Sequence, residues 1–141
     1  MFKACLGNVN VKRLILATLA VIVFFFVSNF VIHEVMLKST YEATMTLWRD
    51  KPTMESMMIW MLVAQILIAK YGTFIFVKGY EGKGMIEGIR FGIYMGLLTT
   101  GYTLIQFVTT PIPGSLAWAW IWTGMVQWIV AGMIAACVYK R

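Results

Sequence analysis

Long apolar runs separated by short polar stretches set the pattern of this chain. Leu14 to Ile32 is 19 residues without a charge. Ser56 to Val77 follows, interrupted only by Gln65 and Lys70. Phe91 to Val108 and Ser115 to Tyr139 complete the set. A helix needs about 20 mostly apolar residues to cross the hydrocarbon core of a bilayer. Backbone amides in lipid must find partners within their own segment, which makes such runs helices. The alternation of a membrane barrel, in strands of roughly ten residues, is absent. The pattern predicts an all-α integral membrane protein. A single membrane domain over 1–141 would hold four spans, at 14–32, 56–77, 91–108 and 115–139.

The cations orient these spans, because loops rich in Lys and Arg stay in the cytoplasm. Lys3, Lys12, Arg13, Lys78, Lys83, Arg90, Lys140 and Arg141 fall on one side. Lys38, Arg49 and Lys51 fall on the other, offset by Glu34, Glu42, Asp50 and Glu55. Both termini are therefore expected inside, giving an antiparallel up-down bundle. Trp48, Trp60, Trp118, Trp120 and Trp122 mark the expected outer interface, and Tyr80 and Tyr139 the inner one. Trp128 falls near mid-span.

Composition agrees. The chain is 60% apolar and 13% charged, whereas a soluble domain carries about 25% charged residues. A net charge of +6 reads as a topology signal, and no nucleic-acid partner is expected. The apolar run after the basic N-terminus lacks a small-residue cleavage site around Phe24–Phe26, so it reads as an uncleaved anchor. Cys5 and Cys137 fall on the cytoplasmic side, where thiols stay reduced. They form no CxxC pair, which argues against thiol–disulfide chemistry.

Several short motifs run through the chain. Lys78-Gly-Tyr-Glu-Gly-Lys-Gly84 is followed by Glu87-Gly-Ile-Arg-Phe-Gly92. His33, Ser39-Thr-Tyr41 and Pro111-Ile-Pro113 flank the spans. Together these resemble a group of small bacterial four-helix inner-membrane proteins of unknown function. The resemblance implies four spans and a bacterial inner membrane, and no activity.

Span three has the clearest face. Gly84, Gly88, Gly92 and Gly96 recur every four residues. Gly88, Gly92 and Gly96 share a side with Thr99, Thr103 and Gln106. Helices in lipid associate through close backbone packing and interhelical hydrogen bonds, which small residues permit. This ridge is expected against protein, in span four of the same chain or in another copy. Gly124, Gln127, Ala131 and Ala135 of span four, with Gly132 nearby, offer a matching surface.

Span two begins with Met54, Met57, Met58 and Met61, with Met36 and Met45 in the adjacent loop and His33 close by. Thioethers and imidazole suit Cu(I), so His33, Met36, Met54, Met58 and Met61 are candidate copper ligands. The simpler expectation is a buried packing face, because methionine fills irregular gaps and the i, i+3, i+4, i+7 spacing marks a helix's inward side. His33 is the only histidine, which excludes a bis-histidine haem within one subunit. Lys70 is the one charge inside a span, about 160° around the helix from Met54. It either snorkels from a lipid-facing position or acts as an intramembrane cation.

Glu87 and Arg90 stand at pairing distance along a helix. Lys78, Lys83 and Arg90 beside a helix N-terminus form a candidate lipid-headgroup site. Polar residues Asn29, Gln65, Gln106 and Gln127 lie within or at the end of spans. Gln65 and Gln127 are expected at similar depth facing protein, bonded to each other or lining a small outward-facing cavity.

No buried carboxylate pair, nucleophile–base pair or metal cluster is present. The sequence therefore points away from an enzyme and implies no cofactor. It points to an accessory subunit or homo-oligomeric scaffold whose partners are the lipid bilayer and other membrane subunits or copies of itself. The alternatives are a small oligomeric transporter or channel with a polar outer vestibule, and a periplasm-facing Cu(I)-handling protein.

Overall fold

The computed structural model describes residues 9–140. Lys3, Cys5 and Arg141 lie outside them. Helix α1 (Val11–Asn29) continues directly into π-helical turns over Phe30–Met36. Two short helices follow, α2 (Lys38–Ala43) and α3 (Lys51–Ser56), with a 3-10 turn at Met45–Leu47 between them. Then come α4 (Met58–Lys78), α5 (Met85–Thr109) and α6 (Gly114–Val138). No described residue is in a strand. Four stretches are long and apolar enough to cross a membrane: Val11–Met36, Met58–Lys78, Met85–Thr109 and Gly114–Val138.

Local chemistry sets the boundaries. The Asn10 side chain accepts from the Arg13 N–H at 3.2 Å and starts α1. The first span runs past Ile32 because hydrogen bonding continues through His33 and Glu34, and the Leu37 N–H reaches the Ile32 carbonyl at 2.9 Å. The second span starts at Met58, not Ser56, because Met57 breaks the run between α3 and α4. The third starts six residues before Phe91, at Met85. Hydropathy stops at Glu87 and Arg90, but helical hydrogen bonding does not.

Helix α6 is central and packs along both α5 and α1, while the α4 backbone lies closest to α1 and meets α6 and α5 through side chains around Gly72 and Phe76. The α5–α6 contact is made by absent side chains. A Cβ on Gly88 would overlap the Gly132 carbonyl, and one on Gly132 would overlap the Gly88 carbonyl. A Cβ on Gly92 would strike the Trp128–Ile129 backbone. One on Gly96 would meet the flexible Met125 side chain. The glycine ridge is thus seated on α6 of the same chain, as close backbone packing in lipid requires.

Its mating surface differs from the expected one. Met125, Ile129 and Gly132 receive α5. Ala131 and Ala135 instead lie in the core beside Ala17, Val21 and Phe25 of α1. Gly124 borders α5 more loosely, an added Cβ there lying in ordinary contact with Thr99 Oγ1 at 4.0 Å. Gly84 is outside the ridge altogether. It precedes α5 at φ 67°, a left-handed conformation that glycine adopts without strain.

Trp128 stands at the middle of the core, edge-on to Phe25 with ring centroids 5.3 Å apart and to Phe91 at 6.4 Å. Gly72 of α4 makes room for it, because an added Cβ there would sit 2.8 Å from the indole. The aromatic contacts continue through Phe76 and Tyr80 to the fully buried Tyr139.

The connection from α4 to α5 is tied from within. Glu87 is buried, and its two carboxylate oxygens accept from the Glu81 N–H at 2.6 Å and the Lys83 N–H at 2.9 Å. Arg90 reaches Glu81 at 2.7 Å, and Lys83 reaches the same carboxylate at 2.6 Å. Glu87 and Arg90 therefore do not pair, because each finds a partner in the loop first.

Candidate functional site

The polar residues of the spans gather in one place. Gln127 of α6 donates to Ser28 Oγ and to Asn29 Oδ1 of α1, both at 2.8 Å. The expected bond between Gln127 and Gln65 is absent, since both amide hydrogens of Gln127 are spent on α1. Gln65 faces the same space from α4, and its Oε1 is buried without a partner. Thr99, Thr100 and Thr103 face it from α5. Their hydroxyls donate back to the helix, Thr99 and Thr100 to the Gly96 carbonyl at 3.0 and 2.8 Å and Thr103 to the Thr99 carbonyl at 3.1 Å. Between these groups lies a cavity of about 220 Å³, walled on its apolar sides by Phe25, Trp120 and Trp128 among others. It occupies the space left where the α4 and α5 backbones stand apart.

One wall leads outward to a second cluster. Trp120 donates its indole N–H to Tyr41 Oη at 2.8 Å, and Tyr41 Oη lies 2.6 Å from His33 Nδ1. Burial pushes the Tyr41 phenol above its ordinary range, the Trp120 bond lowers it and Glu34 raises it further. The direction of the His33–Tyr41 bond follows the imidazole tautomer. Trp48 packs edge-on to Tyr41 and donates to Thr44 Oγ1 at 3.0 Å. Tyr41 thus ties the end of the first span to the start of α6. Its place in this cluster has no hydropathy signal.

The remaining candidates lie elsewhere. Gln106 is half-buried on α5 and is not part of the cavity wall. Lys70 projects from α4 with its amine 5.2 Å from the centre of the Tyr71 ring. Met36, Met54, Met57, Met58 and Met61 are all exposed, so the methionine face is not packed within the chain. No group of three or more His, Cys, Asp or Glu among the described residues is placed to hold a metal ion. His33 has its Nδ1 engaged by Tyr41. In the headgroup candidate, Lys83 and Arg90 are both turned onto Glu81, and hold its carboxyl below the usual carboxylate range. Lys78 stands exposed at the end of α4.

No family model, no curated protein and no solved structure matches the chain.

What the cavity can do follows from its own groups. A buried amide oxygen without a partner loses the hydrogen bond it would make in water, a cost of about 1–3 kcal/mol. That oxygen is closed off from the cavity, so a solute there meets the other polar groups of the wall, Asn29, Gln127 and the threonine hydroxyls among them. The volume exceeds the ~30 Å³ share of a single liquid water about sevenfold.

Proposed function

We propose that the chain is a small bacterial inner-membrane protein that handles a small polar solute in this cavity, as a transporter or channel and not as an enzyme. Both termini face the cytoplasm in this reading, and the four spans run up and down in turn. A cavity lined by polar groups from all four spans carries the proposal. The unequal distribution of Lys and Arg supports the orientation, and the resemblance drawn above supports the location. A green fluorescent reporter fused after Arg141 is expected to fluoresce, and a dark, translocated reporter would reverse the orientation.

The solute reading is tested with purified protein in lipid vesicles and a panel of small neutral, cationic and anionic solutes. At least one is expected to cross faster than in protein-free vesicles. If none does, the reading fails.

A second reading, an accessory subunit or homo-oligomeric scaffold, is favoured by one observation. The methionines carry the spacing of a buried helix face yet stand exposed, and methionine-rich surfaces adapt readily to partner side chains. Gentle extraction should then yield a particle larger than one 16.0 kDa chain with its lipid. A monomer under those conditions sinks this second reading.

A further inference from the structure

We infer that the cavity selects an uncharged polar solute, held by the amides and hydroxyls of its wall. The inference rests on the solute-handling reading and names the class of solute.

Charge is the first argument. The residues around the cavity are aromatic, aliphatic, hydroxyl or amide in character, and none is ionisable at neutral pH. Within a span, an ion without a counter-charge keeps most of its desolvation cost. Lys70, the charge deepest within α4, is exposed and does not line the cavity.

Hydrogen-bond polarity is the second. Both amide hydrogens of Gln127 are used on Ser28 and Asn29, which leaves its Oε1 to accept. Each of the three threonine hydroxyls spends its hydrogen on a helix carbonyl, which leaves only oxygen lone pairs. The Trp120 N–H is committed to Tyr41. Gln65 Oε1 is buried and has no donor. The donors remaining are the amide N–H groups of Gln65 and Asn29 and the Trp128 indole. Donors and acceptors are both on offer, and the complement is a compact neutral solute that carries both, such as an amide or a polyol. At about 220 Å³ the space suits a solute of the size of urea or glycerol.

The test measures entry of urea, glycerol, methylammonium and nitrate into vesicles carrying the full chain. Urea or glycerol is expected to cross at least fivefold faster with the wild type than with Gln65→Leu. Methylammonium and nitrate are expected to cross at the rate of protein-free vesicles. Thr103→Val, expected to slow the same solute at least threefold, serves if Gln65→Leu fails to assemble. Leu98→Ala, exposed on α5, is expected to keep the wild-type rate. Faster passage of methylammonium or nitrate through the protein overturns the solute class but leaves solute handling in place. Equal urea and glycerol rates in wild type, Gln65→Leu and Thr103→Val overturn the role of this cavity. No passage of any of the four overturns the inference, and the wider panel then decides the reading beneath it.

Discussion

Replacing Gly92 with valine is expected to keep α5 and α6 from seating. The first added carbon would already meet the Trp128–Ile129 backbone, and backbone cannot turn aside as a side chain does. Overpacking of a close-packed interior costs about 1–3 kcal/mol, and more where nothing can relax. A loss above about 3 kcal/mol is expected here, enough to deplete the assembled protein. Denaturation in mixed detergent micelles would read it. Gly88→Ala should also destabilise, through the Gly132 carbonyl. Combined with Gly132→Ala it should cost other than the sum, because the two positions crowd one contact. Gly96→Ala should be milder than Gly92→Val, since the worst overlap is with the flexible Met125 side chain and the Met125 backbone need give only by tenths of an ångström. Gly101 has open space around it, so Gly101→Ala is expected to leave stability unchanged or raise it by about 0.5–1 kcal/mol. A Gly92→Val protein that unfolds at the wild-type midpoint would refute this account of the α5–α6 contact.

Glu87→Ala is expected to be the second most damaging change. It removes the acceptor for the Glu81 and Lys83 N–H groups at once. Hydrogen bonds to charged groups contribute about 1.5–3 kcal/mol each. Water reaching the loop offsets part of this, so a net loss of about 2–4 kcal/mol is expected. The carboxylate also sits in the first turn of α5, where the helix dipole favours a negative charge. Glu87→Gln keeps one acceptor oxygen and should lose roughly half as much. Arg90→Gln is the contrasting case. Its bond to Glu81 is exposed, and such solvent-screened pairs contribute little to stability. Equal stabilities for Glu87→Ala and Arg90→Gln would remove Glu87 from its role as anchor of the loop.

Much of the helix content was legible because hydropathy and backbone satisfaction impose it. The ridge of Gly88, Gly92 and Gly96 was legible for the same kind of reason, since a four-residue repeat of small residues marks one helix face. Its counterpart on α6 was not. That helix carries two small-residue faces, one through Ala131 and Ala135 and one at Gly132. Which of them receives α5 depends on where α1 lies. The methionine spacing pointed inward, but the break at Met57 divides it between α3 and α4, so one continuous face never forms. Spacing also allowed Glu87 to pair with Arg90. The loop backbone and Glu81 lie closer to hand, and sequence separation does not rank such competitors. The cavity was half legible. Asn29, Gln65 and Gln127 are conspicuous polar residues in apolar runs. Thr100 and Trp120 are common residue types whose position on the wall emerges only from packing.

Distances along the chain carry a consequence for biogenesis. Ser28 and Asn29 enter the bilayer in the first span, yet the amide that satisfies them belongs to Gln127, 99 and 98 residues later. Until α6 is synthesised and inserted, those two polar groups lie in the membrane without that partner. The core contacts of α1 with Ala131 and Ala135 wait for the same helix. A nascent chain halted before α6 thus holds its first spans in an incomplete, polar-exposing state, open to chaperone or protease. The fold closes only once α6 is in place.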